Sequence, residues 1–256
     1  MANINKIIEL KISGKFAHFR KFYTNSSSLS YLIPPRTTII GMFASILERE
    51  RDTYYEEFDN IYVSLSIPKG WFIRKQTHSI NNLHNAYYRL LVNGKGKVQH
   101  SQNKLELLLF PVLKKEIVYY VYIGIRNNSD DKIINEIVSK LKGGNLGYGA
   151  YFGQRQFKAF VELVNIYEGT KIKFLDSCHT LHSICSEENF VKFELEEGIS
   201  IIRELMPHDF KTKIKKNERS REPVSVRYIY FEKTGKPLKG EFRNCYQIGE
   251  NVISFY

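Results

Sequence analysis

Hydrophobic positions change period several times along the chain, and each change predicts an element. In residues 4–13, Ile8, Leu10 and Ile12 recur at every second position, the period of a strand. Residues 37–50 switch to helical spacing: Ile39, Phe43, Ile46 and Leu47 fall on one face, with Thr37 or Thr38 placed as the N-cap. Alternation returns in IYVSLSI (61–67) through Ile61, Val63, Leu65 and Ile67, and IVYYVYIGI (117–125) is rich in the β-branched and aromatic residues that favour strands. DDKIINEIVSKLKGG predicts a helix opened by Asp130 and Asp131. Its apolar face is Ile133, Ile134, Ile137, Val138 and Leu141, and Lys140, Lys142 and Gly143 suit its end. Residues 157–166 make a further strand.

The order is β-α-β, an insertion over 68–116, then β-α-β. This predicts an α+β fold in which residues 1–168 form a ferredoxin-like (RRM-like, βαββαβ) domain. The middle of the insertion, NNLHNAYYRLLVNGKGKVQHSQNK, is polar, basic and punctuated by glycine, which predicts a projecting arm rather than a core element. Residues 169–256 read as a small, mostly-β region of short strands. There VSVRYIYFEKTGKPLKGEF predicts a hairpin turning at Thr234-Gly235-Lys236-Pro237, and VISFY a closing strand. No repeat of fixed period interrupts the pattern.

With 256 residues and 43% hydrophobic content, the chain can bury a substantial core in one domain, or in one domain with a smaller appendage. No long uncharged apolar run is present, so no membrane contact is expected, and MANINKIIELKI lacks the order of a signal peptide. Three cysteines, Cys178, Cys185 and Cys245, are the sparse, odd set of a reduced cytoplasmic protein.

Charge changes the picture more. The net charge is +11, which points to nucleic acid or an anionic surface. Residues 10–47 contain Lys11, Lys15, Arg20, Lys21 and Arg36 and no acid. Residues 69–104 contain Lys69, Arg74, Lys75, Arg89, Lys95, Lys97 and Lys104, again without acid. Residues 140–161 hold Lys140, Lys142, Arg155 and Lys158 without acid, and KTKIKKNERSR (211–221) holds six bases and one acid. Segregation of this kind predicts a polyanion track. The plainer alternative is a set of solvated basic loops, and for 211–221 alone the plainer one is expected.

Two stretches carry candidate chemistry. SSLSYLIPPRTTIIGMFASIL (27–47) sets Arg36 at the start of a helix, where a cation is mildly unfavourable to the helix itself but combines with free N–H groups into an anion site. GGNLGYGAYFGQRQF (143–157) combines glycines, which permit close backbone approach, with Tyr148, Tyr151 and Phe152 as stacking candidates and Arg155 as a phosphate contact. It is neither a dinucleotide fingerprint nor a P-loop. Cys178, His179, His182 and Cys185 in CHTLHSIC do not have zinc-finger spacing, so neither metal nor other cofactor is expected. Trp71 reads as a core or interface anchor.

GKFAHFRKFYTNSSSLSYLIPPRTTIIGM (14–42) resembles the N-terminal signature of the CRISPR-associated protein family five, repeat-associated (RAMP) proteins with a ferredoxin-like core. YGAYFGQRQF (148–157) resembles that family's glycine-rich loop, and the TGKP turn fits its C-terminal hairpin. The pattern is most similar to the type I-B (Hmari or Tneap) branch.

The resemblance implies an antiviral-defence subunit of the Cascade surveillance complex that caps the 5′ handle of the CRISPR RNA. It also implies a β-hairpin thumb, at about 75–104, pinning the RNA beside the first backbone subunit. The partners implied are the backbone subunit of family seven, the large subunit of family eight, and target DNA near the PAM. The residues expected at the RNA are Lys15, Arg20, Lys21, Tyr23, Arg36 and Thr37 in the first motif. In the arm they are Arg74, Lys75, His78, Tyr87, Arg89, Lys95 and Lys97, and in the loop Gly147, Tyr148, Gly149, Tyr151, Gln154 and Arg155. Arg36 would meet an RNA phosphate, with Thr37 and Thr38 as further donors. The type I-C branch of the family cuts precursor RNA without metal, using tyrosine, lysine and histidine. His18, Tyr31 and Lys104 are the residues of those types here, without a residue-by-residue match, so a binder rather than an enzyme is expected.

Overall fold

The alternating N-terminal segment becomes the centre of a sheet. The computed structural model describes residues 4–24, 28–83, 85–94, 100–126, 132–215 and 218–256. From β1 (Ile4–Gly14) the chain passes through three two-residue strands, β2 (Phe16–Ala17), β3 (Phe19–Arg20) and β4 (Ser30–Tyr31), into α1 (Arg36–Ile46) and β5 (Ile61–Ser66). The inserted segment is β6 (Arg74–Leu83), α2 (Asn85–Val92) and β7 (His100–Leu109). Then follow β8 (Ile117–Arg126), α3 (Lys132–Lys142), β9 (Ala150–Tyr151) and β10 (Lys158–Glu168). The main sheet has the order β5-β8-β1-β10-β9, and every neighbouring pair is antiparallel.

Register decides what this sheet buries, because a slip of one residue would turn every side chain to the other face. Ile8, Leu10 and Ile12 join Ile39, Phe43 and Ile46 of α1 and Ile134 and Ile137 of α3 in one buried cluster. On the opposite face, Ile7 and Tyr122 pack beneath Tyr246, Ile248, Ile253 and Phe255 from the end of the chain. The expected start of α3 at Asp130 and Asp131 lies outside the described residues.

α1 departs from expectation at both ends. Neither Thr37 nor Thr38 caps it; Pro35 occupies the cap position, and no side chain bonds there. Thr38 N–H and Ile39 N–H both donate to the Pro35 carbonyl, at 2.9 and 3.2 Å, so backbone closes the first turn. The helix ends at Ile46, and two residues on Glu48 takes a left-handed φ of 58°, which the apolar spacing could not foretell.

The insertion is an arm of two ten-residue strands paired from Arg74↔Leu109 to Leu83↔His100. Its root is sewn to the first motif through Phe16↔Leu109, Ala17↔Leu108 and the Ser28↔Leu105 bridge. Between the arm's strands stands α2, a helical turn of NAYYRLLV, rather than a tight hairpin turn.

Beyond β10 come β11 (Ile172–Leu181), β12 (Cys185–Ser186), β13 (Phe190–Phe193), β14 (Ile201–Lys215), β15 (Glu218–Glu232), β16 (Leu238–Ile248) and β17 (Asn251–Ser254). Two expectations are corrected here. The strands are not all short, since β14 and β15 each run 15 residues and pair with one another along their whole length. Nor is 224–242 a hairpin: β15 lies between β12 and β14, while β16 lies between β11 and β13 in another sheet. The Thr234–Pro237 turn therefore hands the chain from one sheet to the next. The Glu232 carboxylate holds it, accepting from Thr234 N–H (2.7 Å), Thr234 Oγ1 (2.9 Å) and Lys236 N–H (2.9 Å). Of the basic run 211–221, residues 211–215 and 218–221 likewise belong to the far part of the β14–β15 pair. Ile184, Met206, Ile229, Phe231 and Tyr256 from this region join the main core cluster. Among the described residues no helix is long and apolar enough to cross a membrane.

Candidate nucleic-acid interface

The chain at His18 and the last turn of α1 are far in sequence from the glycine-rich loop but form one wall with it. His18 N–H donates to the Phe152 carbonyl (3.2 Å), and the Tyr148 N–H donates to the Ser45 carbonyl (3.1 Å). The glycines make this approach feasible. A Cβ on Gly153, at φ 82°, would stand 2.0 Å from the His18 carbonyl oxygen. One on Gly147, at φ 52°, would stand 2.4 Å from the Ile46 carbonyl oxygen. Gly149 accepts from Ser45 Oγ at 2.8 Å. Phe152, a stacking candidate in the sequence, is instead fully buried edge-on against Phe19 and Tyr119, both with centroids at 5.7 Å.

Opposite this wall stands the β14–β15 pair, held to α1 and its following loop by Thr212 Oγ1 donating to the Asp52 carbonyl (2.8 Å) and by Phe210 edge-on to Tyr55 at 6.0 Å. Between them lies a cleft of about 510 Å³. Its lining includes His18, Phe19, Arg20 and Phe22; Pro35, Thr37, Thr38 and Gly41 of the α1 start; Tyr54; Tyr151, Gly153 and Gln154 of the loop; and Pro207, Phe210, Arg221 and Pro223 of the long pair. Arg221 lies over the Phe210 ring at 5.2 Å. Aromatic faces, guanidinium groups and hydroxyls thus share one opening of small-ligand size.

Arg36 is corrected. It does not face the cleft as a free cation, being 5% exposed. Nη1 donates to Asp209 Oδ1 at 2.7 Å and the His208 carbonyl at 3.3 Å, and Nη2 to the Phe58 and Ile61 carbonyls at 3.1 and 2.8 Å. Burial pushes the guanidinium down from its ordinary value, and Asp209 opposes that most strongly. Burial would in turn raise the Asp209 carboxyl, but the His208 hydrogen bond and charge, the Arg36 charge and Ser225 outweigh it and hold it at about 2.

The three residues of catalytic type, His18, Tyr31 and Lys104, each have their own partners. His18 is buried, which lowers its pKa despite the bond to Glu106. Its Nδ1 lies 2.8 Å from the Glu106 carbonyl, which has no proton to give, so Nδ1 carries the hydrogen and Nε2 accepts from Ser28 Oγ at 2.8 Å. Tyr31 is buried and donates to the Leu205 carbonyl at 2.7 Å, and burial raises its phenol. Lys104 is exposed on β7, and its carbonyl accepts from Ser28 N–H at 3.2 Å.

Of the other expected RNA contacts, Arg20, Thr37, Tyr151 and Gln154 line the cleft. Lys15 and Arg155 are exposed outside the lining, and Tyr148 is 69% exposed there. Lys21 is committed to Glu204 at 2.7 Å and lies over Tyr31 and the half-exposed Tyr23. Lys75 bonds Glu106 (3.2 Å) and the Ser30 carbonyl at the arm's root. Arg74 is exposed and donates to the Phe110 carbonyl, His78 and Tyr87 are half-buried, and Arg89 is exposed on α2. Lys95 and Lys97 lie outside the described residues. Tyr54 and Phe210 carry no sequence signal for this cleft; for Arg221 the basic run was the available signal, read there as a solvated segment.

The zinc candidates point to separate neighbours. Cys178 Sγ faces Cys245 Sγ at 2.8 Å, His179 Nδ1 faces the Gly240 carbonyl, and His182 Nδ1 accepts from Val252 N–H. Trp71 packs against the main core and donates to the Glu116 carbonyl.

A family model described as CRISPR-associated protein (Cas_Cas5) matches residues 7–228. Among solved structures, the chain is similar to one from a CRISPR RNA-guided surveillance complex, at 13% identity over 90% of this chain and 91% of that one, with a TM-score of 0.47. A CRISPR-associated protein crystal structure is similar at 12% identity over 94% of both chains, with a TM-score of 0.42. A chain of a Type III-B Cmr-beta complex bound to cognate target RNA is similar at 13% identity over 90% and 86%, with a TM-score of 0.46. No curated protein matches the chain in sequence.

Proposed function

The chain belongs to the CRISPR-associated protein (Cas_Cas5) family, and from that premise we propose that it is the RNA-binding subunit of a type I CRISPR Cascade surveillance complex. In this role it holds the 5′ handle of the CRISPR RNA in the cleft beside α1. The observation that carries the proposal is the cleft itself. Tyr54, Tyr151 and Phe210 offer ring faces, Arg20 and Arg221 offer cations, and Thr37 and Thr38 offer hydroxyls. Splayed single-stranded RNA is gripped by such groups, through stacking and through phosphate contacts.

The finer architecture belongs to the same proposal. The order β5-β8-β1-β10, with α1 and α3 as the two crossovers, supports a ferredoxin-like βαββαβ core for residues 1–168, followed by the β-rich region 169–256. The β6–α2–β7 arm acts as the thumb beside a backbone subunit of family seven. The large subunit of family eight and DNA near the PAM are further partners, and the type I-B branch is the one that the overall sequence pattern most resembles. The role is binding without cleavage. A general base needs a free acceptor within reach of the attacking hydroxyl, whereas His18 Nε2 accepts from Ser28 and the Tyr31 hydroxyl donates to a carbonyl.

The experiment is purification of the complex with its RNA. Native mass spectrometry is expected to show one copy of this chain per RNA, and denaturing gels are expected to show precursor RNA left intact by the isolated chain. A complex that assembles with its handle protected when this chain is deleted overturns the proposal.

A further inference from the structure

Three segments, 68–74, 110–116 and the 232–236 turn, meet beside the root of the arm. Gly70 N–H donates to the Thr234 carbonyl (2.8 Å), and Trp71 Nε1 to the Glu116 carbonyl (3.0 Å). The Pro111–Lys114 turn, closed by Lys114 N–H to the Pro111 carbonyl (2.9 Å), holds Val112 and Leu113 out at 73% and 93% exposure, and Phe72 nearby is 43% exposed. The same three segments carry Lys69, Arg74, Lys114, Lys115 and Lys233. None of the five has an acidic partner among the described residues, and Glu116 in the same segment pairs with Lys11 at 3.6 Å.

A single exposed leucine means little. Two adjoining aliphatic side chains on segments that carry five cations without acidic partners among the described residues are a surface with a definite complement. Nucleic acid would stack bases on ring faces. Here those faces are covered, by Lys114 Nζ at 4.5 Å over Trp71 and Lys233 Nζ at 4.5 Å over Phe72. The groups standing furthest out are aliphatic, Val112 and Leu113, which have no π face to offer a base. Carboxylates alternating with leucine, isoleucine or valine match both the charge and the apolar contacts.

We propose that this corner docks an acidic, aliphatic segment of a neighbouring protein subunit. The inference rests on the multi-subunit setting of the proposed function but not on the RNA cleft. The chain itself contains such a segment, Glu194-Leu195-Glu196-Glu197, with Leu195 79% exposed. A second copy of the chain is therefore a competing occupant for the test to detect.

The test uses the complex formed by co-expressing this chain with the other subunits and CRISPR RNA, purified through a tag on this chain. Two double variants, Val112→Ser with Leu113→Ser and Lys114→Glu with Lys115→Glu, alter exposed positions and should melt as the parent does. In both, native mass spectrometry is expected to show one protein subunit retained about tenfold less, the effect of losing an interface anchor, while RNA per chain stays constant. Hydroxyl-radical footprinting of the parent is expected to show residues 112–115 protected in the complex and open in the free chain, a readout that stands even if a variant folds poorly. Full retention of every subunit together with unprotected 112–115 overturns the proposal. So does protection by the RNA alone, or concentration-dependent dimerisation of the free chain that both variants abolish. Absence of RNA from the parent complex counts against the handle-binding function, while subunit retention still judges the corner.

Discussion

The Arg36 guanidinium lies 2.7 Å from the Asp209 carboxylate, joining the first residue of α1 to a strand residue 173 positions away. The same guanidinium ties down the Phe58 and Ile61 carbonyls, so it links α1, the entrance to β5 and the long β14–β15 pair. Replacing Arg36 with Ala removes the cation from a half-buried carboxylate, which keeps His208 and Ser225, and takes this donor from the buried Phe58 and Ile61 carbonyls, a loss below the about 3–5 kcal/mol of a fully buried broken pair. The expected outcome is a large fall in melting temperature. In whatever fraction folds, the salt dependence of RNA binding should match the parent's, because no phosphate contact is removed. A salt slope lower by about one unit would instead return Arg36 to the RNA.

Asp209 makes stability depend on pH in a defined window. Its carboxyl is held at about 2 in the folded chain, below the ordinary unfolded value of about 3.9. A depressed carboxyl stabilises the fold above the unfolded value and loses that contribution as pH falls toward the folded one. Melting temperature should therefore drop between about pH 4 and pH 2. Asp209→Asn should start lower at neutral pH and lack that part of the acid dependence. An Asn variant with the parent's acid profile would show that other carboxylates set it.

The glycine-rich loop should discriminate among its glycines. Gly153→Ala and Gly147→Ala meet both a positive φ and a carbonyl oxygen closer than 2.5 Å, whereas Gly149→Ala, at φ 91°, meets open space. Backbone strain alone costs about 1–3 kcal/mol. Gly149→Ala should stay within that range, and the other two should exceed it in thermal or urea unfolding. Equal costs at all three positions would mean that the wall formed by the loop and residues 18 and 46 is not closely packed in solution.

Tyr151 and Tyr148 should separate in RNA titrations at fixed salt. Tyr151 lines the cleft, and Tyr151→Ala is expected to cost about 1–3 kcal/mol of handle binding if its ring stacks on a base. Tyr148, outside the lining, should change affinity by less than half of that. The reverse order would move the handle to the outer side of the loop.

Arg20 and Arg221 should behave as electrostatic contacts. Each Arg→Ala change is expected to weaken RNA binding similarly for unrelated handle sequences and to lower the salt slope by about one unit. A loss confined to one RNA sequence would identify base readout at that position instead.

Periodicity along the chain was enough to place β1, α1, β5, β8, α3 and β10, though not the ends of α1, and thereby the site of the insertion, since apolar spacing is local information and the burial of one face follows from it. Glycine placement at 147 and 153 was also legible, because only glycine tolerates a left-handed turn pressed against another backbone. Tertiary structure alone decided the rest. A cation at a helix start has the same sequence signature whether it meets phosphate or the carboxylate of Asp209, and that carboxylate lies 173 residues away. The TGKP turn looks like a hairpin locally, yet the strands on either side of it bond to different sheets, because strand pairing is settled by distant partners. The cleft has the same origin: Tyr54, Tyr151, Phe210 and Arg221 share no motif, and only packing of the β14–β15 pair across α1 brings their rings and charge to one opening.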